Sequence, residues 1–76
     1  MNKERRKLLE QAFALAEQVQ DILQECAEQE REAYDNMPEG LQNSEKGEQT
    51  SAAADALEEA VDSIESIISN IETARE

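Results

Sequence analysis

A chain of 76 residues with a net charge of −12, one cysteine, no histidine and no tryptophan is one domain at most, and a domain this small removes only roughly 60% of its unfolded surface from water. That composition excludes an intramolecular disulfide, imidazole metal ligation and histidine-based catalysis. Lys3, Arg5, Arg6 and Lys7 are four of the seven basic residues, which leaves the acidic middle of the chain with Arg31 and Lys46 alone.

Such a surface repels the phosphates of nucleic acids and anionic lipid heads, so neither direct DNA binding nor membrane binding is expected. No run approaches the roughly 20 apolar residues of a membrane span, and the basic start lacks an apolar leader segment. These features, with the lone Cys26 in keeping with a reducing compartment, predict a soluble protein of the cytoplasm. With one Phe and one Tyr the core must be aliphatic. Oligomerisation is the remaining source of stability for a chain that lacks disulfides and metal ligands.

The first element is a helix over about residues 2–35. Its apolar positions Leu9, Ala12, Ala16, Val19, Leu23, Cys26, Ala33 and Met37 follow the alternating three- and four-residue spacing of a heptad seam, broken once at Glu30. Leu8, Phe13, Leu15, Ile22, Ala27 and Tyr34 widen that stripe beyond what one partner helix covers. No Gly or Pro interrupts it.

An ordered loop follows over about residues 36–43. Pro38 forbids continuation of the helix, because it lacks an N–H and forces the preceding residue out of the helical region. Gly40 supplies a position able to take positive φ. Met37 and Leu41 are expected to fold back over the end of the bundle as a plug.

Ser44 or Asn43 then caps a second helix, over about residues 44–75, with Glu45 and Glu48 in the first turn where the helix dipole favours them. Gly47, Thr50, Ala54, Leu57, Val61, Ile64, Ile68 and Ile71 repeat the heptad spacing. Small residues come first and large ones last, so the helices approach most closely beside the loop. Fold-back places Leu8 and Leu9 against Ile71, and Ala33 and Met37 against Gly47 and Thr50. It also sets the basic run Lys3 to Lys7 beside the carboxyl end of the second helix, as a cap or alternatively as an anion-binding arm.

The expected fold is therefore all-α: an antiparallel helical hairpin whose over-wide apolar stripes assemble it into a dimeric four-helix bundle or a larger helical oligomer. Leu9, Phe13, Val19, Ile22, Leu23 and Cys26 from the first helix, with Leu57, Val61, Ile64, Ile68 and Ile71 from the second, form the expected oligomer core.

No catalytic residue, metal ligand set or cofactor site emerges. Cys26 sits on the seam, where a buried thiol is an inert small hydrophobe. The Glu-x-x-His pairs of dimetal bundles and the calcium-loop pattern are both missing. Glu10, Glu17, Asp21, Glu28, Glu32 and Asp35, with Asp55, Glu59 and Asp62, form either a solvated face or a row of carboxylates that imitates nucleic acid phosphates.

The loop is the strongest candidate site. Gly47 permits close approach of a backbone or ligand, Lys46 is a cation in acidic surroundings, and the helix amino end carries free N–H groups. Tyr34 offers a ring for stacking, while Asn36 and Gln42 offer amides that both donate and accept. Met37, Pro38, Glu39 and Ser44 complete the set. The alternative is a well-capped turn that only closes the bundle.

The run Tyr34, Asn36, Met37, Pro38, Glu39, Leu41, Gln42, Ser44, Glu45, Lys46, Gly47 and Glu48 resembles the signature of a family of short acidic phage and prophage proteins. In that family an acidic helix leads into Phe or Tyr, then Asn-Met-Pro-Glu-x-Leu-Gln-x-Ser-Glu, then a helix of spaced Leu, Ile and Ala. The similarity covers about residues 28–74. It implies phage origin and a helical hairpin, and carries no activity with it. From that setting follows the functional expectation: a non-enzymatic counter-defence or host-takeover inhibitor, working in the bacterial host cytoplasm. It would occupy a host protein or sequester an anionic nucleotide signal through its loop. The alternatives are an acidic nucleic-acid mimic that blocks a DNA- or RNA-binding host protein, and a structural or regulatory assembly subunit.

Overall fold

In the computed structural model, which describes residues Met1 to Glu76, the chain turns back on itself once. It forms three helices and no strand: α1 (Lys3–Asp35), a single turn α2 (Glu39–Gln42) and α3 (Glu45–Ala74). The two long helices lie side by side in a rod with Cα extents of 58 × 14 × 14 Å.

Local chemistry sets each boundary. The Asn2 side chain accepts the Arg5 N–H at 2.8 Å and opens α1, satisfying one of the donors that a helix start leaves free. At the other end the Asn36 N–H donates to the Glu32 carbonyl at 2.9 Å and the Met37 N–H to the Tyr34 carbonyl at 3.1 Å. Pro38, extended at φ −57° and ψ 149°, then prevents another turn. The Leu41 and Gln42 N–H groups donate to its carbonyl at 2.9 and 3.0 Å, which closes α2. Ser44 Oγ accepts the Gly47 N–H at 3.3 Å and starts α3. Two expectations about the reversal are corrected here. The stretch 36–43 contains a helical turn, and Gly40 lies within it with no glycine at positive φ. Its neighbours' N–H groups find carbonyl partners without a left-handed residue.

Along α3 every expected seam residue, Gly47, Thr50, Ala54, Leu57, Val61, Ile64, Ile68 and Ile71, is buried or half-buried. Along α1 the seam runs in a different phase. Leu9, Phe13, Ala16, Gln20, Leu23, Ala27, Glu30, Tyr34 and Met37 turn inward, again at alternating four- and three-residue spacing, with the expected Ala12 and also Arg31 half-buried beside them. Leu9, Ala16, Leu23 and Met37 belong to both readings. Val19, Cys26 and Ala33 do not: all three are exposed, as is Leu8. The inward places beside them are held by Gln20, Ala27 and Tyr34. Sequence pattern alone favours the more apolar set. The set that packs inward buries Ala27, 6% exposed, in the same half of the hairpin as Ala54, 0% exposed.

Ala16, Ile64 and Ile68 make the buried cluster, with Phe13, Leu23 and Ile71 packed on it. Fully burying one such isoleucine is worth roughly 1.5 to 3 kcal/mol. Only six of the 76 residues are buried, however, and no large side chain is fully enclosed. No helix is long and apolar enough to cross a membrane.

Candidate functional site

At the loop end, α2 lies against the start of α3. A Cβ built on Gly47 would overlap the backbone carbonyls of Leu41 and Gln42. The close approach that glycine permits is therefore taken by the chain itself, which corrects the expectation of an open approach for a ligand. Ser44 occupies the Gly47 N–H, and Gln42 donates from Nε2 to the Tyr34 carbonyl at 3.0 Å, tying α2 to the end of α1.

Tyr34 is likewise part of the packing rather than an open platform. It is half-buried on the α1 seam, with the Arg31 guanidinium 6.0 Å from its ring centre. Met37 is half-buried and Leu41 is 38% exposed, so the plug is carried mainly by Met37. Of the expected contact residues, the reversal presents outward Asn36, Pro38, Glu39 and Lys46. These four stand on a turn held from beneath by Gln42, Ser44 and Gly47.

Two long flanks run from this end along the seam. On one flank lies an open groove lined by acids of both helices, Glu28, Glu32, Asp35, Glu58 and Asp62, with Arg31 as its cation. Arg31 donates to Asp55 at 2.6 Å and to Glu58 at 2.9 and 3.3 Å. Glu58 first, and Asp55 second, raise the already high pKa of the guanidinium. The sequence pattern does not announce this bridge. Its signal is positional, since Arg31 and Glu58 each stand one place beyond an inward residue, Glu30 and Leu57.

The other flank is uncharged and mostly apolar. On α1 it carries Leu8, Ala12, Leu15, Val19, Ile22, Cys26, Gln29 and Ala33; on α3, Gln49, Ala53, Ala56, Ala60, Ser63, Ile67, Asn70 and Ala74. None of these positions is charged, in a chain that is 34% charged. Leu8, Leu15 and Ile22 are 63, 61 and 60% exposed. Val19, Ile22 and Cys26, expected in an oligomer core, lie here and not against α3. Cys26 is a free, exposed thiol, a correction to its expected burial. Arg5, Leu8 and Ala74 line one shallow notch, so the apolar flanks of the two helices lie on the same side of the rod.

At the open end Arg6 donates to the Arg75 carbonyl at 2.8 Å, and the Arg75 guanidinium stacks 4.1 Å from the Phe13 ring centre. One member of the basic cluster thus caps α3 as expected. No grouping of Cys, Asp and Glu is arranged to hold a metal ion.

Fold and site define a two-helix hairpin with a braced reversal, one acidic flank and one apolar flank. Searches of protein-family profiles, curated protein sequences and solved structures find no match to this chain.

Proposed function

We propose that this chain is a non-enzymatic binding protein that works as a homo-oligomer, at its simplest a dimeric four-helix bundle. Its partner is a host protein gripped at the reversal. The resemblance of residues 34–48 to short phage proteins supports action in a bacterial host, as a counter-defence or host-takeover inhibitor. The observation that carries this reading is the braced turn. Asn36, Pro38, Glu39 and Lys46 are exposed on backbone held by Gln42 and Ser44, and a preorganised surface loses little entropy on binding. A protein partner is favoured over a small nucleotide for two reasons. The approach to Gly47 is filled by carbonyls, and the Ser44 side chain already caps the α3 start.

The acidic groove favours one rival, a mimic of nucleic acid that a basic protein would grasp by charge. Affinity capture from host lysate separates the two, using the intact protein, an Asn36→Ala/Lys46→Glu variant and a Glu28→Lys/Asp62→Lys variant. Loss of the captured protein only with the turn variant is the expected result. Loss only with the groove variant, in a salt-sensitive manner, establishes the mimic instead. Retention by both defeats the two readings together.

A further inference from the structure

The uncharged flank is wide enough to need a cover, and its two ends differ in ways that select the cover. On α1 the bulky residues Leu8, Leu15, Val19 and Ile22 lie toward the open end, and Cys26 and Ala33 toward the loop. On α3, Ala53, Ala56 and Ala60 lie toward the loop and Ile67 toward the open end. The flank is thus thick at one end and thin at the other.

Charge divides the same way. Lys3, Arg5, Arg6, Lys7 and Arg75 nearly balance Glu4, Glu10, Glu72 and Glu76 at the open end, whereas Glu28, Glu30, Glu32, Asp35, Glu39, Glu45 and Glu48 outnumber Arg31 and Lys46 at the loop end. A surface that is thick and near neutral at one end, thin and strongly acidic at the other, fits a copy of itself turned end for end.

We infer that two hairpins associate through these uncharged flanks with their loops at opposite ends, α1 crossing the partner's α1 and α3 the partner's α3. This deepens the homo-oligomer reading above and rests on it. The heptad spacing supplies a single register in which large side chains meet small ones. Leu8 then faces the partner's Ala33, Leu15 the partner's Cys26, and Ile67 the partner's Ala60. Val19 and Ile22 meet about the two-fold axis.

The rival arrangement, loops together with α1 over the partner's α3, stacks thick on thick and thin on thin. It also brings the two acidic loop ends together, which is unfavourable. The stripe from Leu8 to Ala33 is about 38 Å long at 1.5 Å per residue. Two helices wide, it has the size of a standard interface, roughly 800 Å² per partner. A hairpin with only six buried residues gains a core by this association.

Cys26 makes the arrangement testable. In the inferred register two Cys26 thiols stand about 16 Å apart along the axis, beyond the roughly 7 Å Cα limit for a disulfide. A Leu15→Cys/Cys26→Ser chain mixed with the wild-type chain brings the two thiols face to face. Sedimentation at micromolar concentration should give a dimer. Copper-catalysed air oxidation should then join position 15 to Cys26 in most of the mixed dimers, and neither chain alone should cross-link. The rival is read by mixing Leu15→Cys/Cys26→Ser with Asn70→Cys/Cys26→Ser. A 15–70 bond, or a dimer without the 15–26 bond, overturns the pairing and leaves the homo-oligomer reading standing. A helical monomer by sedimentation removes both.

Discussion

The two ends of this hairpin are held together by different means. At the loop end the helices approach through small residues: Gly47 lies against the Leu41 and Gln42 carbonyls, and Ala27 and Ala54 are buried in the same half. Backbone contact, caps and the Gln42 to Tyr34 hydrogen bond hold the reversal there. Toward the open end Ile64, Ile68, Ile71 and Phe13 fill the seam with side-chain bulk. One antiparallel pair can thus be specified by shape at one end and by apolar volume at the other. The same asymmetry makes the outer flank directional.

Changes at each end sharpen that contrast. The largest expected effect is at the bulky end. Ile68→Ala removes part of the buried cluster and should cost roughly 2 to 3 kcal/mol, toward the low side for such truncations because the seam is open along both flanks. Urea unfolding at fixed protein concentration measures it.

Next is Gly47→Ala. The new methyl gains about 1 kcal/mol of helix propensity but meets fixed carbonyls rather than a flexible side chain. A net loss of about 1 to 2 kcal/mol is expected, within the usual cost of overpacking. Faster amide exchange confined to residues 38–44 would show α2 lifting away. A stabilised variant would mean that the loop end is not held by close backbone approach.

The smallest effect belongs to Arg31→Gln. Arg31 binds two carboxylates, yet all three groups are solvent-accessible, so the loss of stability is expected to be the smallest of the three. High salt should erase the difference between variant and wild type, because screening weakens exposed pairs. A loss that persists in high salt would show that Arg31 contributes by packing its stem over Tyr34.

Much of the architecture is legible in the order of the residues. Pro38 has to end the first helix, Ser44 is a suitable cap for the next, and the α3 residues from Gly47 to Ile71 spell their seam without competition. Only one phase of that helix is continuously apolar. The α1 pattern is ambiguous for the converse reason. Two stripes overlap on it, and Val19, Cys26 and Ala33 make a greasier line than Gln20, Ala27 and Tyr34. Hydropathy cannot rank two such stripes, because which one faces α3 depends on what α3 presents at each level.

What the residues determined by themselves was an all-helical chain with one reversal and an apolar surplus, since helix breaking, capping and heptad spacing are local. What tertiary structure alone decided was the rotation of α1 about its axis. That rotation sends Leu15, Val19, Ile22 and Cys26 outward, turns Arg31 onto Asp55 and Glu58, and commits the freedom of Gly47 to the chain's own carbonyls. The physical reason is that rotation is set by the fit between two helices, which neither helix encodes without the other.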